Sequence, residues 1–245
     1  MGLCLLCGVL VAACVAAAVR RRSGSARKRA LVQLCADAGI VYSVVDPSDT
    51  TLLPFGVFGS QSAHGVENVV SDEHDGRGIR VFDLWVQTRP DEARRTMTCA
   101  VVPLPFSVPR IDVVPSGQID PSAESVAAEI VHLELDTFEQ RFEVRATDPR
   151  AAVALLDQRM MATLLRVPVR VAMHVNEDAM LLVAPLLQPG EVLALLLCAT
   201  TLADRVPPVV ASLYPPRPRR GPYEQRWLQG SWSPDPTSAH SSEPG

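Results

Sequence analysis

Lysine is almost missing from this chain: of its 23 basic residues only Lys28 is a lysine, and all the others are arginine. Basic charge is also outweighed overall, with 27 acidic residues and a net charge of −4 across 245 residues. That balance excludes a protein built around a nucleic-acid footprint. Six cysteines are too few and too scattered for a disulfide scaffold. The motifs of several enzyme classes are lacking: there is no G-x-S-x-G elbow, no P-loop and no G-x-G-x-x-G. The histidines, at 64, 74, 132, 174 and 240, include no i, i+4 pair of the zinc-helix kind. What is plentiful is apolar side chain, 47% of the residues, which excludes a wholly disordered chain.

The apolar residues include one long run, Leu3–Val19, uninterrupted by charge. As a helix it spans roughly 26 Å, near the short limit for crossing a hydrocarbon core. Basic residues follow it instead of preceding it: Arg20, Arg21, Arg22, Arg27, Lys28 and Arg29. A secretory signal has the reverse order. Under the positive-inside rule the pattern predicts a single-pass transmembrane anchor, N-terminus outside, with the remaining domain in the cytoplasm. A competing reading is an exported lipoprotein, because Leu10–Cys14 (LVAAC) resembles a lipobox with Cys14 as the lipidated residue. The Cys4/Cys7 pair lies within the apolar run, where small apolar side chains are the expected role. Cys35, Cys99 and Cys198 read as buried free thiols.

The organisation expected is a transmembrane anchor over 1–19, a basic juxtamembrane spacer over 20–30, an α+β domain over 31–210 and a disordered Pro/Ser-rich tail over 211–245. Within the domain the periodicity predicts a helix over 26–38 stopped by Gly39, then a strand over 40–45 closed by Asp46-Pro47. Leu52, Leu53, Phe55, Val57 and Phe58 mark the next irregular stretch as a loop laid on the core. Strands over 67–71 and 79–88 flank Asp75-Gly76-Arg77-Gly78, a hairpin signal. Residues 79–88 are apolar on both faces, as in a central covered strand. A third strand over 94–104 is expected to end at Pro103, Pro105 and Pro109, with an edge strand over 111–114. His132–Leu135 and Phe142–Ala146 alternate like strands. Asp148-Pro149 opens a helix to about Leu165, with Val153, Leu156, Met160 and Leu164 on one stripe. Strands over 169–175 and 179–184 are expected to form a hairpin about Asn176-Glu177-Asp178. A Leu-rich helix runs from Pro189 to about Arg205, its apolar part roughly 18 Å long and too short to span a membrane. The fold class is therefore α+β: a curved antiparallel sheet with helices packed on it, preceded by one transmembrane helix.

Several polar residues invite a chemical role. Asp72-Glu73-His74-Asp75, with His64 nearby, carries metal-ligating side chains, but successive residues of a strand point apart, so a solvated turn is expected. Ser60 and Ser62 lie near His64, and Cys99 is a conceivable nucleophile with no histidine close in sequence. Asp83, on a strand covered on both faces, requires a partner; Arg80 or Arg95 is expected, in a buried ion pair. No catalytic, cofactor-binding or metal residue is assigned.

A set of short motifs in order carries a resemblance. They are Asp46-Pro47, Phe55-x-x-Phe58-Gly59, Glu67-Asn68-Val69-Val70, Gly76-Arg77 and Val81-Phe82-Asp83. Phe138-x-x-x-Phe142-x-Val144, Asp148, Leu155-Leu156-Asp157, Met160-Met161 and Leu164-Leu165 follow. Over about residues 26–210 the chain resembles an uncharacterised family of actinobacterial membrane-associated proteins, a domain of unknown function. The resemblance implies membrane association and brings no known activity or catalytic residue. Two departures concern packing and turn geometry: Asp72 stands near where that family usually has Gly, and Trp85 where Tyr is frequent.

The expected function is binding, by a cytoplasm-facing domain tethered to the membrane. Its partners are membrane lipid, through Leu3–Val19 and the basic 20–29 stretch, and a protein partner or further copies of the chain; nucleic acid is excluded. Two alternatives remain: a module for an apolar ligand or lipid held between sheet and helices, and a membrane-tethered hydrolase.

Overall fold

The computed structural model describes residues 24–46, 49–58, 63–87, 89, 91–117, 128–167 and 170–216. The Leu3–Val19 run, Arg20–Arg22, Ser60, Ser62, His240 and the tail beyond 216 lie outside the described residues. Among the described residues no helix is long and apolar enough to cross a membrane.

Among the described residues helix α1 covers 24–38, overlapping the stretch expected to be a spacer. Gly39 ends it at φ 69°. The Ile40 N–H bonds to Cys35 O at 2.9 Å and the Gly39 N–H to Ala36 O at 3.4 Å. This is a complete Schellman closure, which needs a left-handed residue at position 39. Leu31 and Cys35 are buried beneath the helix. The chain returns as β1 (Val41–Val45), and Asp46 then accepts from the Thr50 N–H and, at 3.0 Å, from Thr50 Oγ1. Two single 3₁₀ turns, Thr50–Leu52 and Gly56–Phe58, follow.

β2 (Ala63–His74) and β3 (Arg77–Gln87) form the hairpin that the Asp-Gly signal predicts. Asp75 and Gly76 both have positive φ, 51° and 74°, as a two-residue type I′ turn requires. Gly65 pairs with Trp85 across this hairpin. The indole lies directly on the glycine, 2.7 Å from where a Cβ would stand, and the Arg94 guanidinium covers the ring from 4.1 Å.

β4 (Arg95–Pro115) is one strand of 21 residues, where an end at the prolines and a separate edge strand were expected. Its first part pairs with β3 up to Val101, and its last part with β6 (Phe142–Ala146) from Ile111. Pro105 and Pro109 fall between those two partners, where no ladder on that side needs an N–H. Along its other side β4 pairs with β7 (Ala172–Pro185) almost throughout. β7 is likewise one strand; the expected hairpin at Asn176-Glu177-Asp178 is instead a bulge, with Glu177 at φ 52°. The registers of both strands shift together there, between Pro103, Val108 and Ile111 on β4. The even residues Ala100–Val108 of β4 face the helices before the shift, and the odd residues Ile111 and Val113 do so after it. On β7, Val175 before and Met180 after it face the same way. Matching irregularities thus keep one apolar face continuous through a change of parity.

The seven-stranded antiparallel sheet has the order β1-β2-β3-β4-β6-β5, with β7 off that path on β4 and β5 (Glu129–Ile130) at the far edge. Residues expected as a strand over 132–135 have no regular structure; α2 (Asp136–Glu139) follows them and buries Phe138. The helix expected over 149–165 is two. α3 (Pro149–Leu155) is capped by Asp148 as predicted, and Asp157 restarts the chain as α4 (Gln158–Arg166) by accepting from the Met160 N–H. The break leaves Val153 exposed, while Leu156, Met160 and Leu164 are buried. α5 (Pro189–Asp204) opens with a Gln188/Glu191 capping box and lies on β3 and β4; α6 (Pro208–Leu213) follows.

Each of the six helices among the described residues contributes to one core on one face of the sheet. On the other face, Phe55, Val57 and Phe58 cover Val69, Phe82, Cys99 and Leu181. The expectation of a loop laid on the core describes these three residues, each such burial stabilising by about 1.5–3 kcal/mol. Leu52 is exposed instead. Val192, Leu195 and Leu196 of α5 belong to the helix-side core.

Candidate functional site

Asp83 is the centre of the densest buried polar network described. Its register partner on β4 is Thr98, so the two side chains share the helix-side face. Arg80 and Arg95 were its expected partners. Side chains alternate along a strand, and Arg80 is three residues from Asp83 while Arg95 is three from Thr98, so both fall on the opposite face. The partner is Arg27, 56 positions away on α1. Arg27 Nε donates to Asp83 Oδ2 and Nη2 to Oδ1, each at 2.7 Å. Its Nη1 donates to the carbonyl of Leu187, in the link between β7 and α5.

Two further donors complete the carboxylate. Asn68 Nδ2 reaches Asp83 Oδ2 at 2.9 Å, and Thr98 Oγ1 donates to Oδ1 at 3.2 Å. Asn68 can do so because β2 bulges between Glu67 and Val70, with Asn68 at φ 56°. Such a bulge re-aims a side chain that regular pleating would send elsewhere. Tyr42 of β1 then donates to Asn68 Oδ1 at 2.7 Å, and the Leu187 N–H to Thr98 Oγ1 at 3.0 Å. Burial first, then the negative charge of Asp83, pushes the Tyr42 phenol up, so it stays a donor. α1, β1, β2, β3, β4 and the β7–α5 link therefore meet at one carboxylate. The four hydrogen bonds occupy about all the acceptor sites a carboxylate has, which leaves none for a metal or a proton to be abstracted. The chemistry is that of a clamp: it holds the helix that carries the last three residues of the basic stretch, Arg27, Lys28 and Arg29. It also moves Arg27 out of the group expected to face lipid headgroups, whereas Lys28 and Arg29 are exposed.

A second buried cluster lies on the other face. His174 and Asp112 are register partners on β7 and β4, with His174 Nδ1 and Asp112 Oδ1 2.9 Å apart. Arg110 Nε donates to Asp112 Oδ2 at 2.9 Å. Burial raises the Asp112 carboxyl, but the hydrogen bond and charge of His174 and those of Arg110 outweigh it and hold the pKa below the ordinary value. The Pro54–Gly56 turn closes over this pair, anchored by Asn176 Nδ2 donating to Pro54 O.

The other singled-out residues are dispersed. Asp72, Glu73 and His74 occupy the end of β2, and His74 Nε2 lies 3.7 Å from both Asp75 and Asp204. Among the described residues no three His, Cys, Asp or Glu side chains converge as metal ligands. His64 packs 6.4 Å from the Phe58 ring. Cys99 is buried in the loop-side core, and burial, then the charge of Asp83, pushes its thiol far above the ordinary value. The reactive thiolate is thereby disfavoured. Arg27 and Asn68 were missed as site residues. The signal that points to them is parity, since Asp83 faces the helices and needs a cation from there.

These features define a sheet-and-helix α+β domain with its leading helix bolted into the sheet. No family model matches the sequence, so the family resemblance of the motifs gains no support there, and no characterised protein matches it. A similar fold is seen in the crystal structure of the mycobacterial trehalose monomycolate transport factor A, TtfA, with a TM-score of 0.57 and 16% identity. The alignment covers 79% of this chain and 98% of that one. At this identity the likeness concerns the fold.

Proposed function

We propose that this chain is a membrane-anchored accessory factor in lipid handling, a binding platform and not an enzyme. In this reading Leu3–Val19 crosses the membrane once, the domain faces the cytoplasm, and α1 carries its orientation from the bilayer into the sheet. The observation that carries it is the Arg27–Asp83 clamp. A flexible tether has no use for a buried bidentate ion pair to the sheet. A platform that presents one face to a membrane neighbour gains from the fixed orientation such a pair gives. The fold shared with a trehalose monomycolate transport factor supports lipid, such as an envelope glycolipid, as the cargo. Val192, Leu195 and Leu196 are committed to the core, which favours action through the outer surface over a ligand enclosed between sheet and helices.

Depletion of the protein in its host, followed by chromatographic profiling of extracted lipids, tests the reading. One envelope lipid is expected to accumulate as its downstream product falls, with recovery by the wild-type gene and not by Asp83→Ala. An unchanged lipid profile would count against it. A C-terminal reporter active only outside the cell would reject the topology.

A further inference from the structure

A pocket of about 360 Å³ lies at the far end of β4 from the clamp, between β6 and the C-terminus of α4. Its walls combine two chemistries. Pro115, Phe142 and Leu164 are buried apolar side chains, while Gln140, Arg141 and Arg170 are exposed polar ones. Phe142 is itself fixed by stacking on Phe138, ring centroids 4.9 Å apart. The two arginines come from separate segments and are each held by a backbone carbonyl. Arg141 Nη1 donates to Leu165 O at 2.9 Å and Arg170 Nη2 to Ser116 O at 2.8 Å. Neither forms an ion pair with a carboxylate among the described residues.

We propose that this pocket binds an anionic amphiphile: a phosphate or carboxylate group bearing an apolar body. Each guanidinium has five N–H donors in a rigid fork, and each spends one on the chain, so both retain donors for an oxyanion. The carbonyl bonds fix their positions beforehand, which reduces the ordering cost of binding. The volume exceeds what a bare phosphate fills and lies at the small end of ligand pockets. The remaining space is bounded by Pro115, the edge of Phe142 and the half-buried Val167, beside which an alkyl or aryl group would lie. A lipid headgroup region and a free aryl or alkyl phosphate share this chemistry. The site stands apart from the clamp, so its failure and that of the lipid-handling reading are separable.

The test is calorimetric titration of the full chain in detergent with four probes: dihexanoyl phosphatidic acid, phenyl phosphate, inorganic phosphate and dihexanoyl phosphatidylcholine. One of the first two is expected to bind at least tenfold tighter than inorganic phosphate and than the zwitterionic lipid. Which one does so identifies the source of the ligand. The double variant Arg141→Gln/Arg170→Gln should weaken that binding tenfold or more. Because Arg141 also holds the end of α4, Gln140→Glu serves as a second variant; it adds a negative charge to the rim and should weaken binding at least fivefold. Failure of both anionic amphiphiles to bind, equal binding of inorganic phosphate, equal binding of the zwitterionic lipid, or unchanged affinity in Gln140→Glu would each overturn the proposal.

Discussion

Arg27 and Asp83 are joined by two parallel 2.7 Å hydrogen bonds, although the helix of one and the strand of the other are 56 residues apart. The carboxylate is nearly fully buried and the guanidinium largely so, with 4% and 15% side-chain exposure. Removing one partner of such a pair leaves an uncompensated buried charge and costs about 3–5 kcal/mol. Arg27→Ala is expected to lower unfolding free energy by about that much in denaturant titration. The double variant Arg27→Ala/Asp83→Asn should cost less than the sum of the two singles. Strict additivity would show that the pair is not coupled.

Asn68 does two things at once: it adopts a left-handed backbone and it bridges Tyr42 to Asp83. Asn68→Gly keeps the backbone and loses the bridge; Asn68→Ala loses both. Thermal melts should therefore rank wild type above Gly and Gly above Ala, with roughly 1 kcal/mol between the last two for the unfavourable φ. The reverse order would mean that the bulge contributes no conformational constraint.

At the other end of the domain, Tyr214 Oη donates to Asp148 Oδ2 at 2.7 Å. The tail expected to be disordered from 211 thus begins as packed structure, with the Ser107 N–H also donating to Tyr214 O at 3.2 Å. Burial, then the bond to Asp148, raises the Tyr214 phenol to about 12 from an ordinary 10.0. The same bond lowers the Asp148 carboxyl below its ordinary value. A raised phenol pKa means that the folded state holds the proton more tightly. Its contribution is complete below pH 10.0 and is lost as pH rises through about 12. The depressed Asp148 works in the opposite direction, its contribution being lost as pH falls through the lowered value. The stability advantage of wild type over Tyr214→Phe should therefore be flat at neutral pH and decline at both extremes. A pH-independent difference would contradict this.

Cys35, Cys99 and Cys198 all have raised thiol pKa values, with Cys198 at about 11, and burial is the first cause for each. In native protein, peptide mapping after maleimide labelling at pH 7 should find these three sites unmodified, and unfolding should expose them. Rapid labelling of Cys99 in the native state would reopen a thiol-based activity.

Local chemistry was readable from the residues themselves. Gly39 as a helix stop, Asp75-Gly76 as a hairpin and Asp148-Pro149 as a helix start each depend on backbone preferences of one or two positions. Continuity was not readable in the same way. Pro103, Pro105 and Pro109 look like a strand end unless it is known that β4 changes neighbours there. Asn176-Glu177-Asp178 has the composition of a turn, and only the matching irregularity in β4 makes it a bulge. Asp157 splits a stripe that otherwise fits one helix. The clamp was half legible: burial of Asp83 demanded a cation, but closeness in sequence favoured Arg80 and Arg95, which pleating sends to the other face.

The central claim is that α1 is part of the rigid domain because Arg27 is held at Asp83. Hydrogen–deuterium exchange of the full chain in lipid nanodiscs measures this directly. Amides of α1 after its first turn should be protected on the timescale of β3. In Asp83→Ala the α1 amides should exchange at least tenfold faster, while those of β3 and β4 beyond the site remain protected. Fast exchange of α1 in wild type, or identical α1 protection in Asp83→Ala, would contradict the account.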